Sequence, residues 1–471
     1  MCDILGMSSP PITSEQLTAL PPEFQVILRA VIEHYEQRIA KLEAELAAVR
    51  NTPRNSSRPP STEHPHAKPL PKKPKSKKKP GGQPGHDRFQ RTLIPTEQCQ
   101  SVVPCKPEVC RGCGETLSGE DSSPIRQQVW DVEIRPVVTE YQQHRLICPC
   151  CELVTCGALP EEVDGRTGPV LAGLLVLMTS WFRTSRRRAA LFASEICKVP
   201  CSPGHVSALE AKATQVFGPV YDELAAALPD QSHLNIDETP FKRGTLKTWL
   251  WTFVASAFTV FVLRPTRKAS VLIWAIGGDY EGAIHCDRAK MYYQYDTLQW
   301  CWAHLKRDFQ KLADSADGQV KRLGHDLLRE TKTLFAEYGK CRDGTITYAE
   351  LNEALSPVRN RVNSLLLRGF GTAAHGMCRQ LYAHKDHLWT FLENAEVEPT
   401  NNAAERSLRH GVMWRKLTHG TRSERGDRFV EVLLSIIETC RQQDQSVLTY
   451  VSESLKTRSP TSLLPSKPLN P

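Results

Sequence analysis

Long apolar runs are missing from this chain. The two longest, over residues 169–182 and 250–263, are about 14 residues each, short of the roughly 20 that a membrane-spanning helix needs. A secretory leader is missing too: the first eleven residues have neither a basic opening nor a long apolar core. No acid stands between Glu63 and Asp87, and apolar residues almost vanish over 51–91, so that stretch lacks the material for a core. The expectation is a cytoplasmic protein without a membrane partner. In a reducing compartment its 16 cysteines point to metal rather than disulfides.

With 471 residues and a net charge of +8, the chain has length for two to four domains and a balance that suits a polyanionic partner. Residues 16–50 read as one helix. Leu28, Tyr35, Leu42 and Val49 recur by sevens, and Ile32, Ile39 and Leu46 follow offset by four. That seam makes either a self-association zipper, giving a homodimer or higher, or a helix docked on its own domain. Residues 51–91 read as a disordered, Pro- and Lys-rich linker. Lys68, Lys72, Lys73, Lys75, Lys77, Lys78 and Lys79 in it form a basic arm, which gains affinity for a phosphate backbone by counterion release; the alternative is a solvated tail.

Residues 92–162 carry two Cys-x-x-Cys pairs, Cys110 with Cys113 and Cys148 with Cys151. Strand-like segments over 127–134 and 137–146 run between them, and pairs carried by hairpins would hold one structural zinc ion in a closed tetrahedral site. Cys150 could replace Cys151, and Cys105 or His144 could intrude. Residues 166–230 read as helical. A helix over 184–196, a turn at 199–202 and a second helix over 204–215, started by Pro203, resemble a helix-turn-helix, with Arg183, Arg186, Arg187 and Arg188 at its basic entry; a plain helical domain gives the same pattern.

The remainder is organised around His233-Leu-Asn-Ile-Asp-Glu-Thr-Pro-Phe241. Alternation predicts a strand that delivers Asp237 and is stopped by Pro240. Strands over 248–256 and 259–263, a helix over 268–276, strands over 282–286 and 297–301 and a helix over 303–312 follow. If the first and fourth strands are parallel neighbours, Asp237 and Asp287 meet at one sheet edge. A helical insertion over about 305–395 then returns the chain to a helix after Asn402 with Glu405 in it. Glu405 either closes a capping box or pairs with Arg409, or it is a third carboxylate. Three carboxylates at one edge suit two magnesium ions, or manganese, for in-line displacement at phosphorus. His304 of Cys301-Trp-Ala-His304 belongs either to local packing or beside the scissile phosphate.

The ordered set resembles the transposases of the insertion sequence 66 family. It comprises Asn55-Ser-Ser-Arg-Pro-Pro60, Gly81-Gly-Gln-Pro-Gly-His86, the paired Cys-x-x-Cys, Ile236-Asp-Glu-Thr239, Asp287 with Tyr292, Cys301-Trp-Ala-His304 and Asn401-Asn-Ala-Ala-Glu-Arg406. The resemblance implies a multidomain α/β protein with a ribonuclease-H-like mixed five-stranded sheet over 231–445, an Asp237–Asp287–Glu405 triad, zinc on the cysteine pairs, and Asn402 and Arg406 as auxiliaries. It also implies double-stranded DNA partners (element ends and target), accessory proteins of the same element, and a nucleoid-associated bacterial setting. Arg288-Ala-Lys-Met291 departs from the small Gly/Tyr-rich turn expected after Asp287. The tail, 456–471, reads as disordered. The alternative is a transposase-derived DNA-binding protein without catalysis.

Deleting residues 68–79 is expected to flatten the slope of log DNA affinity against log salt, measured by fluorescence anisotropy on unrelated duplexes. An unchanged slope would leave the lysines merely solvated.

Overall fold

The computed structural model of the protein describes residues 21–50, 91–163 and 165–465. The lysine arm lies outside them. Helix α1, Pro22–Arg50, covers most of the expected zipper, and its seam residues Ile32 and Tyr35 are exposed. The cysteine-bearing segment has little regular structure. Its one strand pair is β1, Arg145–Ile147, against β2, Val154–Cys156, antiparallel. The strands expected over 127–134 and 137–146 are therefore corrected. Val129, Val132, Val137 and Val138 are strand formers, but they stand exposed with no apolar face to pack against, and propensity alone does not hold a strand.

Helices α2, Pro169–Ser180, α3, Arg186–Glu195, and α4, Pro203–Ala226, follow. Ser185 and Ser202 cap the last two by accepting from Arg188 and His205 N–H. The second helix of the expected helix-turn-helix is eleven residues longer than anticipated. Its Val206, Leu209, Ala213, Phe217, Val220 and Leu224 are buried, and the Tyr221 hydroxyl donates to Phe261 O at 2.9 Å. Residues 166–230 thus share one apolar core with the sheet.

The sheet has strands β3, His233–Arg243, β4, Leu246–Val254, and β5, Thr259–Arg264. After helix α5, Ser270–Ile276, come β6, Ala283–Cys286, and β7, Leu298–Trp300. Their order is β5-β4-β3-β6-β7. The first three are antiparallel, while β6 runs parallel to β3 and β7 parallel to β6. The anticipated succession of elements is correct, with one exception. Pro240 does not end β3, which continues three residues and pairs Pro240 with Trp249. β6 bonds only His233–Asn235, so one flank of β3 is free at Pro240 and no ladder needs its missing N–H.

Helix α6, Trp302–Ala313, leaves β7. The insertion consists of α7, Gly318–Arg342, α8, Tyr348–Arg368, and α9, His375–Ala383. The chain returns as α10, Asn402–Thr418, then α11, Glu424–Gln442, and α12, Val447–Thr457. α11 covers the edge strand β5. Glu431 Oε1, Ser435 Oγ and Thr439 Oγ1 accept the N–H groups of Leu263, Phe261 and Thr259 at 2.7, 2.9 and 3.1 Å. Four helical residues rise about 6 Å and two strand residues about 6.7 Å, so one side chain per turn meets every outward N–H of the edge. An exposed edge would otherwise template foreign pairing. Residues 458–465, expected to be disordered, are packed: Leu463 is buried and its carbonyl accepts from Gln443 Nε2 at 2.7 Å.

α7 crosses the end of α6 so closely that a Cβ on Gly324 would lie 2.2 Å from Ala313 N. Nothing lies within 4 Å of such an atom on Gly339 of the same helix. Gly324→Ala is expected to lower stability by about 1–3 kcal/mol through overpacking. Gly339→Ala is expected to raise it by up to about 1 kcal/mol. Urea melts of both variants check the contrast; equal shifts would contradict it.

Candidate active site

The register of β3 against β6 sets the site. His233, Leu234 and Asn235 face Ala283, Ile284 and His285. Carried on by two residues, that offset sets Asp287, just past β6, level with Asp237. Asp237 Oδ1 accepts Glu238 N–H at 2.9 Å and Asp287 Oδ1 accepts Ala289 N–H at 2.8 Å. Glu405 reaches the same place from the first turns of α10, and Asn401 puts it there. The Asn401 amide donates to Ile236 O at 2.7 Å and accepts from Asn235 Nδ2 at 3.0 Å. Its own N–H reaches Cys301 Sγ at 3.2 Å, and its carbonyl accepts Glu405 N–H at 3.1 Å. The helix start is thereby tied to the residue before Asp237.

The capping-box alternative for Glu405 is not what the structure contains. Asn401, not Asn402, is the cap residue, and its side chain makes no cap bond. Asn402 and Arg406 are exposed on the outer side of α10. Glu405 instead faces the acids. The Asp237 carboxyl is held well above the usual carboxylate range by burial first, then by Glu238, Asp287 and Glu405. Mutual repulsion of this kind requires the acids to be close and poorly solvated.

Glu238 went unremarked in the sequence reading, because alternation turns it away from Asp237. It is buried on the other face of β3, where its Oε2 accepts from the Tyr292 hydroxyl at 2.8 Å. Its Oε1 lies 2.5 Å from Arg267, which also reaches Asp287 Oδ2 at 3.5 Å. Burial and Asp287 push the Glu238 carboxyl up to about 7, against the pull of Arg267 and Tyr292. Asp287 is the group that both faces of β3 share. Arg288, where the turn departs from the family pattern, pairs with Asp308 of α6 and donates to Gln380 Oε1 of α9 at 3.4 Å. The insertion thus braces the loop that carries Asp287.

His304 Nδ1 lies 3.6 Å from Glu405 Oε1, and Arg307 is equally distant. Both of those His304 and Glu405 atoms are buried without a hydrogen-bond partner. Burial, then Arg307, holds the imidazole low, so it is neutral at pH 7. Orphaned acceptors beside repelling carboxylates fit the residues of a divalent-cation site.

The other candidate residues lie elsewhere. Each cysteine pair forms the same turn. Gly114 N–H bonds Cys110 O and Glu152 N–H bonds Cys148 O, both at 2.9 Å, with positive φ at Gly114 and Glu152. N–H groups around Cys113 and around Cys151 hold the Cys110 and Cys148 thiols below their usual range. The pairs are not gathered on one centre: among the described residues, Cys301, His304 and Glu405 form the one group with three ligating atoms in mutual reach. Arg186 pairs with buried Glu210 at 2.5 Å, while Arg187 and Arg188 are exposed. No helix among the described residues is long and apolar enough to cross a membrane.

The model of the transposase IS66 family matches residues 166–428, which takes in the sheet, the insertion and all three acids. A family of unknown function (DUF6444) matches residues 10–92. An uncharacterized protein, y4hP, of Sinorhizobium fredii (strain NBRC 101917 / NGR234) is 22% identical over 427 residues, spanning 81% of this chain and 74% of its own.

Carboxyls raised in the fold stabilise it only while protonated. For Glu238 that contribution is complete below the ordinary value of 4.5 and lost as pH climbs through about 7. In chelator, the thermal midpoint should fall across this window, and Mg²⁺ should restore it above pH 7 far more than below pH 5. A midpoint indifferent to Mg²⁺ above pH 7 would contradict a cation site.

Proposed function

The chain belongs to the transposase IS66 family, and from that premise we propose an Asp-Asp-Glu transposase that cuts and joins DNA at the ends of its element. Asp237, Asp287 and Glu405 are the proposed catalytic carboxylates. The observation that carries the reading is the raised Asp237 carboxyl, whose neighbours include Asp287 and Glu405 from far along the chain. The sheet order, with three antiparallel strands and two parallel ones beyond, supports a ribonuclease-H-like domain.

Two magnesium or manganese ions, when bound, would activate the attacking oxygen and stabilise the leaving one. The protein's part is to hold three carboxylates at the open edge and to keep Asp287 in place through Arg267 and the Arg288–Asp308 pair. Neutral His304 lies beside them, with an acceptor or donor free for a substrate phosphate. The exposed Arg406 on α10 and Arg187 and Arg188 on α3 offer cations to the DNA backbone, and the lysine arm adds non-specific affinity. Cys110, Cys113, Cys148 and Cys151 are proposed zinc ligands, supported by two equal turns with lowered thiols. α1, with seam residues Ile32 and Tyr35 exposed, is the proposed dimerisation element. Element ends, target DNA and proteins of the same element are the proposed partners.

Glu405→Gln, Asp237→Asn and Asp287→Asn should each lower Mg²⁺-dependent cleavage of terminal-repeat DNA by orders of magnitude, about a hundredfold or more. DNA affinity should stay near wild type. The thermal midpoint should stay level or rise, because an amide relieves the repulsion. A Glu405→Gln protein that cuts at the normal rate would overturn the triad, and wild-type protein that binds ends without cutting would favour a repressor.

A further inference from the structure

Cys301-Trp-Ala-His304 carries one sulfur and one imidazole, too few ligands for a metal site from sequence alone. Folding supplies a third. Cys301 caps α6 and His304 sits one turn into it, so the two project on the same side of the helix start. Glu405 arrives from α10. One ligand atom from each of the three lies within 4.8 Å of the other two, the spacing of ligands around a single ion. This set shares Glu405 with the acid cluster but offers sulfur, nitrogen and one oxygen in place of hard carboxylates alone.

We propose that Cys301, His304 and Glu405 bind one zinc-class ion beside the acid cluster. Three features support it. First, the closest atoms of His304 and Glu405 are both buried and have no hydrogen-bond partner, although they lie 3.6 Å apart, too far for a bond between them and right for a shared ion. Second, Cys301 Sγ receives the Asn401 N–H at 3.2 Å, with the N–H groups of His304 and Ala303 also directed at it. These donors fix the sulfur beside the other two ligands, while burial holds the thiol above its ordinary range, so a bound ion would displace its proton. Third, the donor set selects the ion. Thiolate and imidazole favour zinc and its transition-metal neighbours, whereas magnesium demands an oxygen cage. Three protein ligands leave a fourth position open. The partial exposure of His304 and Glu405, 18% and 27% of their side chains, gives the ion its entry.

A consequence follows that does rest on the catalytic reading above: Glu405 serves both sites, so an ion held by Cys301 and His304 draws on a carboxylate that the magnesium site needs. Zinc would then act as a brake on the magnesium-dependent reaction.

Zinc content after equilibrium dialysis in millimolar Mg²⁺ tests the binding, with Co²⁺ absorption as the second readout. Cys301→Ala and His304→Gln should each carry one zinc ion fewer per chain than wild type. Each should lose the part of the cobalt–thiolate charge-transfer band that the cysteine pairs do not supply. Asp237→Asn, which disables the proposed chemistry without touching a ligand of this site, should retain the ion, which separates failure here from failure of the transposase reading. Circular dichroism confirms folding, and His304→Gln, at a partly exposed position, carries the test if the Cys301 variant does not fold. Equal zinc counts and superimposable cobalt spectra for wild type and the His304 variant would overturn the proposal.

Discussion

One buried amide holds the site together. Asn401 uses its N–H, its carbonyl and both ends of its side chain. The partners are Cys301 after β7, Asn235 and Ile236 in β3, and Glu405 in α10. Replacing its side chain would take a hydrogen bond from buried Asn235 Nδ2 and from Ile236 O, while the backbone bonds to Cys301 and Glu405 would remain. The clamp fixes the start of α10 against the strand one residue before Asp237, so the third acid meets the first two although a long helical insertion intervenes. The rest of the site depends on it, because acids that repel one another do not converge unless the backbone is held.

That repulsion is stored, not avoided. Asp237 and Glu238 both sit above the usual carboxylate range, and among the described residues Arg267 is the cation that spans Glu238 and Asp287. A fold selected for stability alone would replace such a cluster with apolar residues of similar volume. Its stability comes from elsewhere: the apolar core shared by α2, α4, α11 and the sheet, and the side-chain ladder by which α11 covers β5. The insertion is not a passive addition, since Gln380 of α9 joins Asp308 of α6 in steadying the loop beyond Asp287 through Arg288.

The sequence by itself determined the succession of strands and helices in the sheet domain, because alternation in β3 and aromatic, β-branched runs in β4 and β5 are local signals. It also determined which acids to consider, since Asp237 lies in one readable strand and Asp287 just past another. It misjudged Pro240, whose tolerance depends on where β6 stops pairing, and residues 127–146, where strand formers lack a surface to pack on. It misjudged 458–465 as well, because the groove that receives Leu463 is built from distant helices. Only the tertiary structure excluded the capping box for Glu405, revealed Glu238 on the reverse face, and set Glu405 beside Cys301 and His304. Those outcomes rest on contacts between residues a hundred or more positions apart, or on which face of a strand meets which neighbour, and neither is written in local periodicity.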